Sequence, residues 1–145
     1  MYQCRGTTMR LLNICEMPIR WTDLDAYGHL NHALFFNFIT EARAKLFNEL
    51  LPIKGMCHFV TAHVECSYKN PYYHPDTIIL KQYCTAISNS SFNLTYEFFS
   101  EKKPNLLHAL ASVKMVACNP TSSRPTRLPQ EVITLIAPQT DPIEK

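Results

Sequence analysis

The stretch HALFFNFITEARAKLFNELL, residues 32 to 51, constrains the fold more than any other part of the chain. Phe35, Phe38, Ile39, Ala42, Leu46 and Leu50 recur at steps of three and four, the spacing of one helix face. Leu34, Phe36 and Phe47 widen the stripe beyond that of a surface helix. The first half is apolar nearly all round, which predicts that this end is buried. Pro52 is expected to stop the helix. A helix this apolar needs a cover, and the rest of the chain must supply it.

The remaining segments read as strands. CEMPIRWT (15–22) alternates and suits a first strand, with Pro18 near its start or on an edge. Four more follow the helix: MCHFVTAHVECSYK (56–69), TIILKQYCTAIS (77–88), SFNLTYEFFS (91–100) and LLHALASVKMVACN (106–119). NPYYHPD, SNS and EKKPN separate them, turn formers by type. A hairpin meander fits the last three. PTSSRPTR is a loop, and LPQEVITLI (128–136) a short final helix with Pro129 in its first turn. The order is strand, long helix, four strands, short helix. That is an α+β layout, a strongly curved antiparallel sheet wrapped around one long central helix. At 145 residues one domain, 1–145, is expected.

A net charge of +2 is too weak for a nucleic-acid binder. The basic tilt at Lys102, Lys103, Lys114, Arg124 and Arg127 reads as solvated surface first and as a landing place for the phosphates of a small anionic ligand second. Cys4, Cys15, Cys57, Cys66, Cys84 and Cys118 form no CxxC pair, so reduced, mostly buried thiols are expected. No apolar run reaches the roughly 20 residues of a membrane span, and the start lacks a signal-peptide block. The expectation is a cytoplasmic protein.

Just ahead of the helix lies RWTDLDAYGHLNHALFF, residues 20 to 36. It crowds two acids, two histidines, an asparagine and one of only three glycines into the helix approach. A helix start leaves about four N–H groups unpaired and carries roughly half a positive charge. Such a place can hold an oxyanion developing on an attacked carbonyl. Gly28 lets the chain turn sharply and a substrate come close. Asn31 is a natural cap for the helix.

This stretch resembles the signature of the hot-dog-fold thioesterases of the 4-hydroxybenzoyl-CoA thioesterase class. The class includes the short acyl-CoA thioesterases associated with the Tol-Pal system, and acyl-ACP thioesterases are similar. The matching residues are Asp23, Asp25, Gly28, His29, Leu30, Asn31, His32, Phe35, Glu41, Ala42 and Arg43. SYKNPYYHPD, SNSSFNLTYEFF and SSRPTRLPQEV extend the likeness, so that it covers about residues 15 to 136.

The resemblance implies a hot-dog fold and hydrolysis of acyl-CoA to free acid and coenzyme A, with no cofactor. It makes Asp25 the catalytic carboxylate, as nucleophile or general base. His32 accompanies it, with its main-chain N–H where the oxyanion donor lies. Gly28, His29, Asn31 and Glu41 are candidate substrate-binding or supporting residues, since other hot-dog enzymes use a helix glutamate; read by itself, Asp23 orients the loop and Glu41 pairs with a basic group. A homodimer or homotetramer with sites at the subunit interface is implied, the acyl chain lying beside the helix. One position departs: a tyrosine four residues ahead of the catalytic aspartate is here Trp21. Alternatives are an acyl-ACP thioesterase or a non-catalytic acyl-thioester binder. Asp25, His29 and His32 could also offer metal ligands, but no further Cys/His cluster supports a metal, and none is expected. There is no G-x-S-x-G elbow for a serine hydrolase.

Overall fold

The computed structural model describes residues 9–50 and 57–138, the side chains of 49 and 50 excepted. Pro52, Cys4 and the last residue of the expected helix lie outside these. The elements are β1 (Arg10–Pro18), α1 (Leu34–Lys45), β2 (His58–Tyr68), β3 (Thr77–Ile87), β4 (Ser91–Ser100), β5 (Ala109–Cys118) and α2 (Gln130–Ile136). The strands form one open antiparallel sheet in the order β1-β3-β4-β5-β2, with the expected meander at its centre. This is the hot-dog fold.

Period-two alternation puts one face of the sheet inside. Ile78, Leu80, Gln82 and Cys84 of β3 and Phe92, Leu94, Tyr96 and Phe98 of β4 are buried, as are Ala109, Ala111, Val113, Met115 and Ala117 of β5. Against this face α1 presents Phe35, Ile39 and Ala42, and the turn after it Leu46, all buried. The Phe35 ring meets Phe98 at 5.0 Å, and the Phe47 ring stacks on Phe59 at 5.2 Å. Buried Gln82 ties helix to sheet by donating from Nε2 to the Ala42 carbonyl at 3.2 Å, and the Tyr96 hydroxyl donates to Gln82 Oε1. Register shifts at Leu11/Asn13, Thr61/His63 and Cys84/Ala86 interrupt three of the four strand pairings. Such bulges bend strands and sharpen their twist.

Four expectations need correction. The first strand is Arg10–Pro18, not 15–22, and Trp21–Asp23 is a 3-10 turn. Pairing ends at Pro18 with Thr77, and the Arg20–Asp23 contacts then pull the chain into that turn. The helix begins at Leu34 rather than His32, because Asn31 to Ala33 close a separate turn. It passes into a π-helical turn, Leu46–Leu50. Its apolar first half is not wholly buried: Leu34, Phe36 and Phe38 are half-buried, and Leu34 and Phe38 line a cavity. Pro129 precedes α2 as its cap rather than standing in its first turn.

Cys57, Cys66, Cys84 and Cys118 are free thiols, all but Cys66 buried, and burial pushes the Cys84 thiol up to about 11. The basic residues of the last third are exposed. Among the described residues no helix is long and apolar enough to cross a membrane.

Candidate active site

The loop before α1 is a closed, tightly bonded unit. Leu24 and Leu30 form an isolated antiparallel bridge. Between them the Asp25 N–H donates to the His29 carbonyl at 2.7 Å, and the Gly28 N–H to the Asp25 carbonyl at 3.1 Å. Gly28 sits at φ +80°, a conformation that disfavours any side chain. A Cβ there would meet nothing within 4 Å, so the backbone alone calls for glycine.

The loop holds one oxygen of Asp25. Oδ1 accepts the Tyr27 N–H at 2.9 Å and the His29 N–H at 3.1 Å. Oδ2 has no hydrogen-bond partner among the described residues, and the side chain is exposed. Asn31 caps the next turn, its Oδ1 accepting the Ala33 N–H at 3.1 Å and its carbonyl accepting the Leu34 N–H at 3.0 Å. The Asn31 N–H donates to the Asp23 carbonyl at 3.0 Å. Between these paired amides the His32 N–H has no acceptor among the described residues.

Asp25, His29 and His32 line one cavity of about 300 Å³, together with Leu30, Phe35 and the segment Tyr68–Pro71. The Tyr68 hydroxyl donates to the His32 carbonyl at 3.0 Å, and its ring meets Phe35 edge-on at 4.9 Å. Burial, then the Cys66 thiol, raises the Tyr68 phenol above its ordinary value. Tyr68, Lys69 and Asn70 were not singled out from the sequence. They come from the end of β2, some forty residues from the loop, and only their place in SYKNPYYHPD hinted at them.

Two acids lie elsewhere. Asp23 is 3% exposed and turns to Arg20, whose N–H donates to Oδ2 at 2.8 Å and whose guanidinium reaches Oδ1 at 2.9 Å. Burial works against this carboxylate, but the Arg20 hydrogen bonds and charge outweigh it and hold the carboxyl below its ordinary value. A group depressed on folding stabilises above its unfolded pKa, and that contribution fades as pH falls through the folded value. Asp23→Asn should therefore melt below wild type at neutral pH. The gap should narrow below about pH 4, the ordinary aspartate range, in melting curves taken from pH 7 to pH 3.

Among the described residues Glu41 does not make the expected ion pair. Arg20 is engaged by Asp23, and Arg43 donates to the Thr61 hydroxyl at 2.7 Å. Glu41 is exposed and lines a second cavity, of about 520 Å³, beside α1 with Met17, Pro18, Leu34 and Phe38. Among the described residues no group of three or more His, Cys, Asp and Glu side chains is placed to hold a metal ion.

A sequence profile of the thioesterase-like superfamily matches residues 19–135. Solved structures agree. A candidate thioesterase from Pseudomonas aeruginosa superposes with a TM-score of 0.81 at 28% identity, over 88% of this chain and 100% of that one. A candidate acyl-CoA thioesterase from Xanthomonas campestris gives 0.72 at 22%, over 82% and 100%. The DHNA-CoA thioesterase of Staphylococcus aureus gives 0.69 at 21%, over 83% and 80%. No curated protein matches the sequence significantly.

Proposed function

Because the chain belongs to the thioesterase-like superfamily, we propose that it hydrolyses acyl-CoA thioesters, with Asp25 as its catalytic carboxylate. One observation carries this reading: Asp25, His29 and His32 share a single cavity at the approach to α1. There Asp25 has one oxygen held and the other open. The open Oδ2 either takes a proton from water as it attacks the thioester carbon or attacks that carbon itself. The carbonyl oxygen becomes an oxyanion, and the His32 N–H is the unpaired donor beside it. The C–S bond then breaks and coenzyme A leaves as thiolate, which takes up a proton; where Asp25 is the nucleophile, water then cleaves the acyl-aspartyl anhydride, releasing the acid and restoring the carboxylate. The His32 imidazole lines the same cavity and carries the thiolate's proton. The acyl group lies beside α1, against Phe35 of the same cavity. The relatives with acyl-CoA and DHNA-CoA in their names support a coenzyme A ester over a carrier-protein ester. Thiol release from acyl-CoAs, compared with acyl-carrier-protein esters, tests the choice.

The working unit is a homodimer with the site at the interface. β2 is an edge strand, and an unpaired edge invites a partner. By register, Val64 and Tyr68 share the face that carries α1, opposite Val113 and Ala109. The helix leaves both partly open: they are 42% and 45% exposed. Tyr68 also lines the site, so a second copy seated here would complete the cavity wall. Wild type should sediment as a dimer or tetramer, and Val64→Glu as a folded monomer with little thioesterase activity. A monomeric, fully active wild type would contradict this.

A further inference from the structure

We infer that His108 is a positioning residue for this site, holding the wall that faces Asp25. His108 lies just ahead of β5 and is 2% exposed. Its Nδ1 sits 3.1 Å from the Pro71 carbonyl and 3.3 Å from that of Asn70. Both partners are acceptors, so Nδ1 carries the proton and Nε2 is bare. Nε2 is buried with no partner among the described residues. The ring stays neutral, since burial pushes its pKa down.

Those two carbonyls belong to residues lining the Asp25 cavity. The backbone of His108 doubles the hold: its carbonyl accepts the Lys69 N–H at 2.8 Å and the Asn70 N–H at 3.0 Å. Its ring stacks on Tyr72 at 3.8 Å, nearly parallel. The Tyr72 carbonyl accepts the N–H of Leu30, the residue after His29. One imidazole therefore braces both sides of the cavity, the Lys69–Pro71 wall directly and the Asp25 loop through Tyr72. An apolar ring would fill the same space without stranding a nitrogen. The histidine's distinctive contribution is the Nδ1 proton aimed at the wall.

The kinetic part of the test rests on the thioesterase reading, and the exchange part does not. His108→Phe keeps a ring against Tyr72 and removes the donor. His108→Asn returns a donor near the Nδ1 position. For the phenylalanine variant, kcat should fall about tenfold or more, as expected when a reacting group is slightly misplaced, with KM changed less than about twofold. Amide exchange at Leu30 and Asn70 should quicken about tenfold, a local opening, while Ala137, bonded to Ile133 in α2, stays as in wild type. His108→Asn should recover most of both losses. Unchanged Leu30 and Asn70 exchange in His108→Phe would overturn the inference. So would exchange rising equally at Ala137, or loss of folding in both variants, since either marks a purely structural residue. If wild type cleaves no thioester, the functional reading fails and the exchange data alone decide the positioning role.

Discussion

Asp25→Asn should lower kcat by about a thousandfold, the usual range for removing a catalytic base or nucleophile, and leave the fold intact. The geometry separates the two effects. Asp25 is exposed, and its structural bonds from Tyr27 and His29 both end on Oδ1. An asparagine keeps that acceptor, so the Asp25–His29 loop can still close. What disappears is the charge and the open oxygen that would take a proton or attack a carbonyl. The melting temperature should change little, because a surface substitution that keeps its hydrogen bonds costs within about 0.5 kcal/mol. Activity that survives in a folded Asp25→Asn variant would move the chemistry to His32 or His29, the histidines of that cavity.

Phe98→Ala should destabilise the protein by about 3–5 kcal/mol, the usual cost of truncating a buried phenylalanine. Phe98 is fully buried in β4 and is the seat for Phe35, the second residue of α1. Phe35 in turn touches Tyr68 and Tyr72, so the helix start and the site wall rest on the same aromatic cluster. A loss of that size is a large part of the 5–15 kcal/mol that typically holds a domain together. Urea unfolding checks it through the midpoint. A shift worth less than about 1 kcal/mol would mean that the cluster repacks around the gap and that α1 is seated mainly elsewhere.

Local pattern carried most of the fold. SFNLTYEFFS alternates from Phe92 to Phe98 between two turn-forming stretches, and β4 is that segment to the residue. The apolar stripe of α1 and the turn after it was legible for the same reason, since Phe35, Ile39, Ala42 and Leu46 share one face whatever lies opposite. The ends were harder. Apolar periodicity runs through His32, but the Asn31 side chain and carbonyl close a turn there, a hydrogen-bonding choice that hydropathy does not record. β1 starts earlier than its local pattern predicts because Arg10–Asn13 gain their strand character from pairing with β3, a contact distant in sequence.

The candidate site was half legible. Asp25, Gly28, His29, Asn31 and His32 stand together in the chain, and the loop keeps them together in space. Asp25, His29 and His32 line the cavity, while Asn31 serves as a turn cap and Glu41 borders the other cavity. Tyr68, Lys69 and Asn70 arrive through the sheet's topology, which carries the end of β2 to the helix start. His108 gave no signal either. A single histidine in LLHALAS reads as core, and only the two carbonyls at its Nδ1 distinguish it.

The most direct measurement is thiol release by wild-type protein from a panel of short, long and aromatic acyl-CoAs. Expected is steady turnover of at least one member, yielding free acid and coenzyme A in equal amounts without added metal or cofactor. Acyl-CoA that is bound and returned unchanged, for every member of the panel, would contradict the central claim and make this cavity a binding site rather than a catalytic one.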